Sequence, residues 1–155
     1  KWSKLIWELW DKMRFMGLDV GTRTIGVATS DIMGIIATGI KTIRRTTLER
    51  DFNELEVLIK EKEITTIVVG YPKNMNGTIG ERAKSCEELA ELLRQKFSPV
   101  EVVLWDERLT TVAAQRVLIE ADLSRNKRKQ VVDTVAATVI LQNYLDYIGK
   151  NKQEE

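Results

Sequence analysis

"RFMGLDVGTRTIGVATSD", residues 14–31, decides the fold. Residues 14–20 and 24–31 read as two strands joined by the tight "GTR" of residues 21–23. Glycine accepts turn dihedrals closed to other residues, so this pattern predicts a β-hairpin. Asp19 stands in the first of these strands, with Gly17 and Gly21 two residues to either side. A buried carboxylate is costly unless it is paired or binds a cation. Asp19 is therefore either a turn-former bracing "VGT" through backbone amides, or the holder of a metal ion or a phosphate-bearing ligand.

Outward from the hairpin, "GIIATGIKTI" (34–43) predicts a third strand. "TTLERDFNELEVLIKEKE" (46–63) predicts a helix, because Phe52, Leu55, Leu58 and Ile59 repeat at helical spacing. "ITTIVVG" (64–70) is β-branched and predicts a buried strand. "YPKNMNG" reads as loop, and residues 78–97 as a helix that Thr78 and Glu81 would open with a capping box. "VEVVLW" (100–105) predicts a fifth strand, residues 110–121 a helix capped by Thr110, and residues 131–148 a long final helix. The order β-β-β-α-β-α-β-α-α predicts an α/β domain, with helices on the faces of a mixed five-stranded sheet.

The 155 residues suit one domain. A net charge of +1 draws the chain to no polyanion as a whole, so any such affinity must come from local clusters. Cys86 is the single cysteine, which excludes an internal disulfide and fits a reducing, cytoplasmic setting. No run of about 18 apolar residues is present, so no membrane span is expected. Histidine is absent, which removes histidine triads and nearly all zinc sites. Hydrolysis by this chain would rest on carboxylates and a hard cation such as Mg²⁺ or Mn²⁺.

Residues 1–12, "KWSKLIWELWDK", do not match the rest of the chain. As a helix they place Trp2, Leu5, Ile6, Leu9 and Trp10 on one face, and they read as an appendage with no part in the chemistry. The expected division is a leader at 1–12, a single domain at 13–150 and a frayed tail at 151–155.

Three acidic positions fall where strands end or helices pack. Asp19 ends the first strand, Asp106 and Glu107 end the fifth, and Asp133 lies in the last helix beside Val131, Val132 and Val135. Ligands gather at the carboxyl ends of parallel strands. Ala136 and Ala137 would let the last helix come close enough for Asp133 to join the other acids. Clustered carboxylates repel one another, whereas with one or two divalent ions they suit phosphodiester cleavage. Each acid also has a plainer role open to it, in a turn, an ion pair or a helix N-terminus. "SRNKRK" (124–129) sets Arg125, Lys127, Arg128 and Lys129 where the last helix should begin, against its dipole. A bound phosphate would remove that conflict, and Arg23 and Arg108 stand ready to add contacts.

"GLDVGTRTIGVATSD", "VVGYPKNMNGT", "WDERLTT" and "SRNKRKQVVDTVAATVILQNYLD" together resemble the YqgF/RuvX family, in order and from residue 13 to about 148. These are bacterial proteins described as Holliday-junction resolvases and as nucleases that mature the 5′ end of 16S rRNA. The resemblance implies an RNase H-like fold and a metal-dependent nuclease. It implies Asp19, Glu107 and Asp133 as catalytic and metal-holding acids, with Asp106 as a further candidate beside Glu107. Its implied substrate is pre-16S rRNA, or branched DNA cut by a dimer. Whether the chain is a monomer or homodimer is left open. Two other readings stand beside it: a fragment of a sugar-kinase or actin-like ATPase, whose phosphate loop "DVGT" also resembles, and a non-catalytic module that binds RNA or the ribosome.

Overall fold

The computed structural model describes residues 12–107 and 134–154. Along the chain run β1 (Phe15–Val20), β2 (Thr24–Ser30), β3 (Ala37–Arg44), α1 (Leu48–Glu61), β4 (Thr66–Tyr71), α2 (Glu81–Phe97), β5 (Glu101–Asp106) and α3 (Val135–Glu154). Residues 1–11, the helix expected at 110–121 and the first residues of the long final helix lie outside the described residues. So do Arg108, Arg125, Lys127, Arg128, Lys129 and Asp133.

The five strands form one sheet in the order β3-β2-β1-β4-β5. β1 pairs antiparallel with β2, and β2 with β3, as short turns require. β4 lies parallel to β1, and β5 parallel to β4. The mixed sheet expected from the element order is the sheet observed. The hairpin closes where "GTR" predicts: Gly21 N–H donates to the Thr24 carbonyl at 2.9 Å, and Val20 faces Ile25.

Strand alternation splits the core into two layers. Met16, Leu18, Val27, Ile67 and Val69 point to one face, where Phe52, Leu55 and Ile59 of α1 and Ala83, Cys86, Ala90 and Leu93 of α2 cover them. Phe15, Ala28, Val68 and Trp105 point to the other, under Ala137, Ile140, Leu141 and Leu145 of α3. Burying each large apolar side chain contributes about 1.5–3 kcal/mol. α3 comes very close to the sheet. A methyl at Gly17 would lie 2.7 Å from Leu141 Cβ and 3.0 Å from the Ala137 carbonyl oxygen. The small Ala137 therefore does what its size suggests, but Gly17 on the sheet side supplies the other half. Gln142 clamps the same helix to the far edge: it accepts from Ala37 N–H at 2.9 Å and donates to the Ile35 carbonyl at 2.8 Å.

Two local expectations fail for identifiable reasons. The third strand begins at Ala37, not at residue 34. The Asp31 carboxylate accepts from the Ile35 and Ile36 amides at 2.7 and 2.9 Å, and Gly34 takes a φ of 68°, so residues 31–36 close a loop instead. The capping box at Thr78 and Glu81 does not form; Gly80 is the N-cap of α2 and makes no side-chain cap bond. The Thr78 hydroxyl is taken by the preceding loop, donating to Asn76 Oδ1 at 2.7 Å and accepting from Asn74 Nδ2 at 2.9 Å. By contrast α1 is capped by Thr47, whose hydroxyl accepts from Arg50 N–H at 3.2 Å.

Candidate active site

Asp19, Arg82 and Glu107 meet in an open cleft of about 420 Å³, roofed by Ala136, Val139, Ile140 and Asn143 of α3. The sheet explains why. Gly17 and Trp105 already face α3, so two residues further along each strand Asp19 and Glu107 face it too. β4 runs between their strands, with Leu18 opposite Val69 and Trp105 opposite Gly70. Gly70 is the β4 residue between the two acids. A methyl there would lie 2.5 Å from Glu107 Oε1 and would also collide with Ile140 Cδ1. The bare backbone of β4 therefore makes the room in which the Glu107 carboxylate lies. Glu107 follows the last residue of β5, yet its N–H still donates to the carbonyl of Tyr71, the last residue of β4, at 3.2 Å, which anchors it.

Burial pushes both carboxyls up. The Asp19 carboxyl is raised by loss of solvent, partly offset by the Arg82 guanidinium. The Glu107 carboxyl is raised by burial first and then by the negative charges of Asp19 and Asp106, again offset by Arg82. Two half-buried acids that repel each other form a cradle for positive charge. Arg82 supplies some of it, with Nη2 at 3.4 Å from Asp19 Oδ1. That pair is partly solvated, so it is worth no more than about 1 kcal/mol. Oxygen donors of this kind suit Mg²⁺ or Mn²⁺. Among the described residues no group of three ligating side chains forms.

The structure thus brings together Asp19 and Glu107. Asp106 is the last residue of β5 and does not line the cleft. Arg23 sits on the turn after Asp19 but lines a separate concavity with Arg44 and Arg45. No motif or spacing in the sequence points to Arg82 or Asn143. Arg82 is the second residue of α2, just beyond the loop that leaves the carboxyl end of β4, and that position is its only signal.

The sequence from 13 to 147 matches the family described as "RuvX: Holliday junction resolvase". The chain belongs to the RuvX family. Its RuvX relatives include proteins named "Putative pre-16S rRNA nuclease". One from Desulfitobacterium hafniense is 56% identical over 145 residues, covering 91% of this chain and all of the relative. Another from Shouchella clausii is 58% identical over 136 residues, covering 86% of this chain and 95% of the relative. The fold of this RuvX chain is also that of Thermus thermophilus RuvC, solved with a Holliday junction substrate. The TM-score is 0.61 at 10% identity, over 90% of this chain and 96% of that one. The fold is therefore the RNase H-like arrangement that the sequence motifs imply.

Proposed function

We propose that this chain is a divalent-metal-dependent endonuclease that cuts phosphodiester bonds in structured RNA, in the 5′-end maturation of a 16S rRNA precursor. The observation that carries the reading is the meeting of Asp19 and Glu107 on either side of Gly70, in a cleft open to solvent. The names of the relatives supply the substrate class. A bound Mg²⁺ or Mn²⁺ would polarise the scissile phosphate and make water a competent nucleophile at neutral pH.

The residues divide the remaining work. Asp19 and Glu107 hold the cation, and Asp133 is assigned as the third acid from its motif. Arg82 reduces the repulsion between the acids and stands within reach of an incoming phosphate. The apolar roof of Val139 and Ile140 limits water on one side of the cleft. Arg23 and, from the basic run, Arg108, Arg125, Lys127, Arg128 and Lys129 are assigned to the nucleic-acid backbone. The nuclease domain spans 13–150, works in the cytoplasm as a monomer or homodimer, and leaves the leader at 1–12 outside the chemistry. Among the described residues no helix is long and apolar enough to cross a membrane. Branched DNA is the second reading, favoured by the family's description.

The test is cleavage of a 5′-extended 16S rRNA precursor, and of a four-way DNA junction, with Mg²⁺ or Mn²⁺. Asp19→Asn should abolish cutting of the true substrate and keep its binding. Because it removes a repelling charge, the variant should melt no lower than the wild type in EDTA. Mn²⁺ should raise the melting temperature of the wild type and not of the variant. Equal cutting by both proteins would sink the assignment of Asp19.

A further inference from the structure

Beside the carboxylate cleft lies a second concavity of about 490 Å³, lined by Thr22, Arg23, Thr24, Arg44 and Arg45. Among the described residues no carboxylate lines it. Its three arginines come from two distant stretches of sequence that the sheet joins. Thr24 faces Arg44 across β2 and β3, and Arg45 N–H donates to the Arg23 carbonyl at 2.8 Å. Arg45 is held from two sides. Its Nη1 donates to the Gly21 carbonyl at 2.8 Å, and its Nε lies 3.5 Å from Asp51 Oδ2. Asp51 is only 2% exposed, and its other oxygen accepts from Thr46 N–H at 3.1 Å. The buried acid thus orients a guanidinium that has further N–H donors to offer. Arg23 and Arg44 are exposed, and neither forms an ion pair among the described residues.

Arg45 is already paired with Asp51, but Arg23 and Arg44 form no ion pair among the described residues, so the gathered guanidinium groups repel one another until an anion arrives. Two threonine hydroxyls on the same wall suit phosphate oxygens. The position is equally telling. The carboxyl ends of β3 and β1 lie on one edge of the sheet, separated by β2. Two strand spacings are about 10 Å, so this concavity flanks the carboxylates along that edge. We propose that Thr22, Arg23, Thr24, Arg44 and Arg45 form a phosphate subsite. It would hold a backbone phosphate of the nucleic acid a short distance along the strand from the scissile bond. It sets where along the strand the carboxylates act. The proposal rests on the nuclease reading for the polymer that carries the phosphate and for the scissile bond beside it.

The experiment measures affinity in EDTA by fluorescence anisotropy, from 50 to 300 mM KCl, with a labelled precursor fragment and with a labelled four-way junction. Arg23→Ala and Arg44→Ala should each weaken binding. Each should flatten the plot of log affinity against log salt by about 0.7–0.9, the loss of one phosphate contact. Both side chains are exposed, so both variants should melt with the wild type. Lys62→Ala, an equal loss of charge at the other end of α1, should leave the slope unchanged. The probe whose slope responds identifies the polymer. Wild-type slopes in both arginine variants would overturn the subsite and leave the nuclease reading standing. An equal flattening in Lys62→Ala would overturn it too, by showing a net-charge effect. Failure of the wild-type protein to bind either probe would overturn both readings. Loss of cleavage in Asp19→Asn with an unchanged slope would support the nuclease reading independently.

Discussion

Replacing Gly70 by alanine adds one methyl group at the centre of the site. Gly70 does not have a positive φ, so alanine meets no backbone strain there. Strand conformation alone would favour the alanine by about 0.5–1 kcal/mol. The added carbon would lie 2.5 Å from Glu107 Oε1 and 3.2 Å from Glu107 Cδ, where ordinary contact begins at 3.4 Å. The Ile140 end methyl can rotate aside. The carboxylate must retreat by about 1 Å. Overpacking of this kind costs about 1–3 kcal/mol, which lowers the melting temperature of a chain this size by about 2–12 °C. The larger effect falls on chemistry, since a displacement of about 1 Å at a catalytic group can cost about 10²-fold. Gly70→Ala should therefore be folded, bind RNA in EDTA like the wild type, and cut about 10²-fold more slowly. Circular dichroism, anisotropy and single-turnover cleavage measure the three. Wild-type cleavage by a folded variant would refute the placement of the Glu107 carboxylate over β4 in the working enzyme.

Two further outcomes rest on the electrostatics. Arg82→Ala removes a positive charge 3.4 Å from Asp19. It should raise the affinity for Mn²⁺ by about two- to five-fold, in keeping with a partly solvated pair, and lower the affinity for RNA; calorimetry showing weaker Mn²⁺ binding would contradict this. Asp31 gives a pH dependence. Its slight burial would raise the carboxyl, but the amides of Ile36 and Ile35 outweigh that and hold it below its ordinary value. A depressed folded pKa adds stability above the unfolded value, near pH 4, and loses it as the pH falls through the folded value. The stability gap between wild type and Asp31→Ala should be under about 1 kcal/mol at pH 7, because the group is solvated. It should narrow as the pH falls below about 4 in urea titrations, and a gap independent of pH would exclude the carboxylate as its source.

Most of the fold was legible because its signals are local. The glycine turn after Asp19, the alternation of β1 and β2 and the helical spacing of Phe52, Leu55 and Ile59 each act within a few residues. Where local signals compete, sequence pattern misleads. Thr78 could cap a helix or bond within its own loop, and Asn74 and Asn76 decide for the loop. The stretch "GII" has strand composition, but Asp31 captures its amides before they can pair.

The site divides the same way. The sequence by itself determined which acids stand at strand ends, that no histidine would help them, and which family motifs surround them. Tertiary structure alone decided that Asp106 stays off the cleft wall, that Gly70 clears the ground between Asp19 and Glu107, and that Arg82 leans in from α2. It also decided that Arg23 shares a pocket with Arg44 and Arg45 rather than with the acids. The physical reason is strand pairing. Register and pleat set which side chains of distant strands share a face, and a one-residue shift would send each to the opposite side.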